Sequence, residues 1–282
     1  IGMEFASLYQ MLGCQVTVLE AMDRILPNMD REVCQNLSMI LKKRGVQIFA
    51  GARVEQVEKA EDGYTVRFTQ KGQSAQVQGE VVLCAIGRRP NTQGLFGPDF
   101  FVEQERGRIL VDENFQTSVP GVYAIGDCVF GKAQLAHTAS AMGEVAAENI
   151  MGIPAVYDEK TNPTCVYMEP EAASVGLTEE QCKAKGIDYK VGKFPLVANG
   201  KSLIINGGEG LVKIIADAKY EEVLGMHIIG PRATDLIAEG ALALRLEATV
   251  DELISTIHSH PTVSESVREC ALNVQKRAIH IK

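Results

Sequence analysis

No stretch of this chain approaches the ~18 consecutive apolar residues that a membrane-crossing helix needs, so nothing in it is read as spanning a bilayer. Basic residues are not in excess: 28 Lys and Arg stand against 36 Asp and Glu, a formal net charge of −8, and no basic cluster carries interleaved aromatics. A polyanion would meet repulsion on average, which sets nucleic-acid binding aside. Close cysteine pairs are missing too. Cys14, Cys34, Cys84, Cys128, Cys165, Cys182 and Cys270 are an odd, widely spaced set, read as reduced thiols of a reducing compartment. There is no internal repeat and no low-complexity tract. Ile1-Gly2-Met3-Glu4 offers neither an initiator Met nor a positively charged region leading into an apolar segment, so the chain reads as if it began in mid-sequence.

What is present is a soluble, globular composition, 46% hydrophobic and 23% charged over 282 residues, enough for about two domains with their own cores. Apolar spacing predicts a helix over 3–12, then a buried strand, Val16 to Leu19, ending at Glu20. A helix over 30–43 closes at Gly45 before a strand at 46–49, and strands near 54–59, 64–69 and 76–83 form an antiparallel excursion turning at Asp62-Gly63. The apolar run Val81 to Ile86 reads as a strand covered on both faces, with a domain edge at Gly87-Arg88-Arg89-Pro90-Asn91. Another buried strand is expected from Gly121 to Ile125, then a helix over 138–150 and a second boundary between Pro154 and Pro163. Beyond it, strands at 164–167, 172–176, 189–194, 210–216 and 223–229 alternate with helices at 178–185, 233–247 and 265–275, an α+β pattern.

Three places carry chemistry. Gly2 opening a helix, with Glu20 at the end of the next strand, suits a dinucleotide: amides at the helix start face pyrophosphate and the carboxylate accepts from ribose hydroxyls, favouring NAD over NADP. The plainer alternative makes Gly2 a close-packing residue and Glu20 a solvated strand end. Asp127, on the Gly126-Asp127 turn, could hold a flavin's ribityl hydroxyl, and His137 starts a helix whose dipole could stabilise a reduced flavin; equally, Asp127 caps a turn and His137 a helix. In His258-Ser259-His260-Pro261-Thr262-Val263-Ser264-Glu265, His260 and Glu265 could form a base dyad, since a carboxylate strengthens an imidazole base and fixes its tautomer. The same spacing makes Thr262 and Glu265 a capping box, with Thr262 the N-cap.

Ile1-Gly2-Met3-Glu4, Gly87-Arg88-Arg89-Pro90-Asn91, Ala124-Ile125-Gly126-Asp127 and His258 to Glu265 occur in the order found in the flavoprotein disulfide reductases, which the whole chain resembles. Within that family, the ending from His258 through Ser266-Val267-Arg268-Glu269 is similar to the dihydrolipoamide dehydrogenases. The resemblance implies a partial Rossmann-like NAD domain over 1–86, an FAD-contacting segment over 87–155 and an α+β dimerisation domain over 156–282. It places Gly2, Glu4, Glu20, Val54 and Gly87 at NAD, and Asp127, Gln134, Leu135, Ala136 and His137 at FAD. It makes His260 the base, delivered across a homodimer interface, with Glu265 orienting it. The implied partners are lipoyl domains of 2-oxo acid dehydrogenase or glycine-cleavage complexes.

One departure is large. The FAD-binding Gly-rich loop and a Cys-x4-Cys redox pair, which the family carries ahead of these motifs, are not in this sequence, so the chain alone is expected to be inactive. Other readings of the same residues are an NADPH-dependent disulfide reductase, with Arg24 near a 2′-phosphate, and a non-catalytic dimerising fragment.

Overall fold

The structure, a computed structural model, describes residues 1–281. Along the chain run α1 (Gly2–Met11), β1 (Thr17–Glu20), α2 (Arg31–Lys43), β2 (Gln47–Ala50), β3 (Ala52–Ala60), β4 (Gly63–Gln70) and β5 (Gln73–Gly79). The two-residue strands β6 (Gln104–Glu105) and β7 (Arg108–Ile109) and the helix α3 (Ala136–Ile150) follow. The remainder comprises β8 (Thr164–Val166), β9 (Glu171–Gly176), α4 (Glu179–Ala184), β10 (Tyr189–Pro195), α5 (Gly200–Asn206), β11 (Leu211–Asp217), β12 (Val223–Gly230), α6 (Ala233–Arg245), α7 (Val250–Ser255) and α8 (Glu265–Val274).

Residues 1–85 and 160–282 make one compact unit, and residues 86–159 a second. In the first, β1 and β2 pair in parallel across the α2 crossover, and β3, β4 and β5 form the antiparallel excursion. A five-stranded antiparallel sheet of order β10-β11-β12-β9-β8 fills the rest. Asp30 starts α2 because its carboxylate accepts from the Glu32 N–H, and Val33, Leu37 and Leu41 bury one face of the helix. That face shares a core with Val166, Met168, Leu211 and Ile229 from the five-stranded sheet. On the sheet's other core, α6 and α8 pack with Ile237, Val267, Cys270 and Val274 against Val175, Val212, Ile214 and Met226. In the second unit, Phe115, Met142, Val145 and Ala146 form one small core and Val102, Ile109, Ala124 and Val129 another.

Two strands expected from apolar runs are absent. The excursion ends at Gly79, and Val81 to Ile86 has no regular structure; Val81 is 83% and Ile86 94% exposed. An apolar run becomes a strand only where a neighbour takes its backbone groups, and among the described strands β1 and β2 pair with each other alone. Gly121 to Ile125 is likewise no strand. It pairs with residues 115–117 through an isolated bridge and two backbone bonds only, and Gly121, in the left-handed region (φ +80°), belongs to the turn that leads into it.

Candidate active site

The last loop of the chain is fixed at both ends. Upstream, α7 ends at Ser255 with Thr256 its C-cap; downstream, a tight turn in which the Ser266 N–H donates to Val263 O and the Val267 N–H to Ser264 O leads into α8. Glu265, the first residue of α8, uses both carboxylate oxygens: Oε1 lies 2.9 Å from His260 Nδ1, and Oε2 accepts from the Thr262 N–H at 2.9 Å. The dyad and the backward half of the capping box therefore coexist on one side chain. The forward half does not form. The Thr262 hydroxyl donates to Ser259 O (2.6 Å) and lies 2.8 Å from Ser264 Oγ, so the N-cap position falls to Ser264 rather than Thr262. Asn199, whose own carboxamide oxygen caps α5, donates to Thr262 O at 3.0 Å and steadies the turn from the sheet side.

Burial pushes the Glu265 carboxyl up, but the Thr262 N–H, the His260 ring and nearby His280 together hold it below the ordinary glutamate range. His260 itself projects outward, with 82% of its side chain exposed. With Nδ1 facing a carboxylate, that nitrogen carries the proton and the neutral ring keeps its lone pair on Nε2. A base pointed at solvent with its tautomer fixed is the arrangement this loop provides.

His258 behaves differently. Its ring is 5% exposed, with Nε2 2.8 Å from Glu239 Oε1 and Nδ1 3.0 Å from Thr256 O. Neither Glu239 nor Asn199 was legible as a partner of this loop, because no local spacing links α6 or the start of α5 to residue 258 or 262.

The residues expected at NAD are spread over both compact units. Gly2 begins α1, whose start has no side-chain cap, and a Cβ on Gly2 would come within 3.3 Å of Ala85 Cβ. Close packing is thus part of its role. The Glu4 carboxylate accepts from the Tyr167 N–H at 3.0 Å. Glu20 closes β1 and accepts from the Met22 N–H at 2.8 Å. Val54 lies exposed on β3. Gly87, in the other compact unit, is exposed and adopts φ +115°. Uncapped amides at the start of α1 and a carboxylate at the end of β1 are compatible with a dinucleotide.

The residues expected at FAD do come together. Asp127 sits on a short turn, Gly126–Cys128, and its main-chain oxygen accepts from Gln134 Nε2 at 3.3 Å. Leu135 is the N-cap of the 15-residue α3, with no side-chain cap, and Ala136 and His137 are its first two residues. A Cβ on Gly126 would lie 3.2 Å from Ala139 Cβ, so turn and helix start are pressed together. Arg88 Nε stands 3.9 Å from Asp127 Oδ2, an exposed pair the sequence did not single out. A carboxylate-bearing turn beside the N-terminus of a helix fits the ribityl and pyrimidine end of a flavin.

Comparison with known proteins identifies the family. The pyridine nucleotide-disulphide oxidoreductase model matches residues 1–143 and that family's dimerisation-domain model residues 162–271. The chain is 43% identical to the dihydrolipoyl dehydrogenase of Bacillus subtilis over 99% of its own length and 60% of that protein's. It is 44% identical to that of Thermus scotoductus over 100% and 61%. It thus spans about three-fifths of the curated relatives it matches. The crystal structure of LpdA from Mycobacterium tuberculosis superposes with a TM-score of 0.86 at 30% identity, over 95% of this chain and 58% of that one.

Proposed function

This chain belongs to the pyridine nucleotide-disulphide oxidoreductases, a family that works with FAD and a pyridine nucleotide, and from that premise we propose that it is the base-bearing part of a dihydrolipoyl dehydrogenase. The whole enzyme would oxidise protein-bound dihydrolipoyl groups with NAD. The observation that carries this reading is the 2.9 Å contact of His260 Nδ1 with Glu265, which leaves Nε2 as the proton acceptor. A dihydrolipoyl thiol gives its proton to Nε2, and the resulting thiolate is the competent nucleophile. When bound, FAD and NAD supply the onward electron relay, held by Asp127 with Gln134 to His137, and by Gly2, Glu4, Glu20, Val54 and Gly87.

Arg24 supports NAD over NADP. Its guanidinium is spent on Glu180 (2.7 Å) and Pro27 O (3.0 Å) rather than held ready for a 2′-phosphate. Residues 156–282 would form the homodimer that presents His260 to a partner's site. Lipoyl domains of 2-oxo acid dehydrogenase or glycine-cleavage complexes would be the substrate carriers, in the cytoplasm or mitochondrial matrix. The attacked disulfide is not within this chain, whose seven cysteines are all free, so these residues alone are expected not to turn over dihydrolipoamide.

The test is NAD-coupled dihydrolipoamide oxidation by a full-length protein carrying this sequence. His260→Gln should lower turnover by roughly 10²–10⁴-fold, the range of a lost general base. Wild-type turnover in the variant would remove His260 from the reaction.

A further inference from the structure

The loop that carries His260 holds a second imidazole in a quite different state. The His258 ring is enclosed, 5% exposed within a half-buried residue, where the His260 side chain is 82% exposed, and both ring nitrogens of His258 face groups that can only accept, Thr256 O and the Glu239 carboxylate. A neutral imidazole has one donor and one lone pair, so two acceptors are satisfied together only by the doubly protonated ring. The intervening Ile257 is 95% exposed, so His258 is the plug that seats this stretch. Glu239 comes from the middle of α6, and Glu265, at the start of α8, holds His260 two residues further on.

We infer that His258 is a positioning residue for the His260 base: as an imidazolium clamped between Thr256 O and Glu239, it fixes the loop upstream of His260 while Glu265 fixes it downstream. Of the two histidines in the motif, His258 cannot be the base, since neither nitrogen is open to a substrate. The charged groups facing it agree with this assignment. The hydrogen bond to Glu239 raises its pKa above the ordinary histidine value, burial opposes, the Glu239 charge and Thr256 O assist, and Arg268 on α8 opposes. Arg268 is occupied in turn, its Nε donating to Ile254 O at 2.9 Å at the end of α7. The inference rests on the proposed base role of His260 only for its catalytic consequence; the anchoring itself can be read without turnover.

Glu239→Gln keeps an acceptor at Nε2 and removes the charge that holds the ring protonated. Imidazole ¹⁵N and ¹H NMR on this chain should show His258 doubly protonated at pH 7 in the wild type and neutral in the variant. The His260 Nδ1–H, shielded by Glu265 in the wild type, should exchange with water about tenfold faster or more in the variant. In the full-length enzyme the same variant should match wild type near pH 6 and fall behind as pH rises through about 6.5, the ordinary histidine range. The deficit should reach roughly ten- to a hundredfold in kcat, the scale of a slightly misplaced reacting group. His258→Gln, which still donates to Glu239 but cannot titrate, should carry a deficit that does not change across the same range. If Glu239→Gln leaves the His260 Nδ1–H exchange rate unchanged, the positioning role is wrong, whatever the turnover. If exchange rises as expected while wild-type enzyme shows no dihydrolipoamide oxidation, the positioning stands and the proposed reaction is what fails.

Discussion

Glu265 has three neighbours to satisfy with one carboxylate, and the consequences differ for chemistry and for stability. Glu265→Gln can still bond the Thr262 N–H but offers His260 no charge, so it should slow dihydrolipoamide oxidation while moving the urea midpoint little; unchanged turnover in a full-length enzyme would remove the dyad. The pH behaviour of the loop follows from two opposite shifts. Glu265 is lowered, so its stabilisation is complete above the unfolded glutamate pKa and is lost as pH falls through the lower folded value. His258 is raised, so its stabilisation is complete below about 6.5 and is lost as pH rises through the higher folded value. Urea midpoints measured from pH 4 to 9 on wild type and Glu239→Gln should differ at neutral pH and converge in alkali, where neither loop keeps the imidazolium. Curves separated equally at every pH would contradict the assignment. Much of this was legible: the spacing of His260, Thr262 and Glu265 gives both the dyad and the cap, and only geometry could show that Glu265 has an oxygen for each.

Helix α8 carries Glu265, so its seat on the sheet sets the base. Gly192 of β10 lies directly beneath it, and a Cβ there would meet Cys270 O at 2.2 Å and Val274 Cγ2 at 2.7 Å. Gly192→Ala should therefore displace α8 and cost about 1–3 kcal/mol by overpacking, read as a lower calorimetric Tm together with faster exchange of the His260 Nδ1–H. A variant as stable as wild type would mean that α8 has slack. Elements that satisfy their own backbone were readable: α4 follows from the capping box of Thr178 and Gln181, and α2 from the Asp30 cap and its apolar face. Val81 to Ile86 was misread for the opposite reason. An apolar run announces that a segment wants cover, but a strand's partners lie elsewhere in the chain and leave no mark in its own residues. The short helices α5 and α7 went unread because each is under two turns long and too brief to establish a period, although α7 carries a Thr249–Glu252 capping box of the same kind as that of α4.

At the scale of the molecule, the unforeseen feature is a set of buried and half-buried charges joining the region of α2 to the distant sheet. Lys213, 1% exposed on β11, lies 2.8 Å from Asp30 and 2.5 Å from Glu179, with Glu32 at 3.2 Å. Burial pushes its pKa down, but Asp30 and Glu179 outweigh this and hold it charged. Arg24 and Arg31 reach Glu180, and Arg44 reaches Glu209 at 2.5 Å. Lys213→Met would leave two carboxylates without their cation and should cost about 3–5 kcal/mol, measured by urea unfolding. A loss below about 1 kcal/mol would show that Asp30 and Glu179 find other donors or take up protons. Because residues 1–85 share one core with 160–282, a single proteolytic cut within 86–159 should leave two fragments that co-elute on gel filtration. Separation without denaturant would refute the shared core. None of this is written locally: Lys213 in a run of apolar residues looks like a misplaced charge until Asp30, 183 positions away, is seen beside it.

That separation has a meaning in time as well as in space. On the ribosome, Asp30 emerges long before Lys213, and at the usual ~5–20 residues per second the interval is roughly 10–40 s. Through it, Asp30 has no cation to bury against, and the apolar face of α2 gains Val166 and Met168 only late, Leu211 just before Lys213, and Ile229 after it. The early part of this sequence must therefore wait, unfinished and sticky, for the late part to be made.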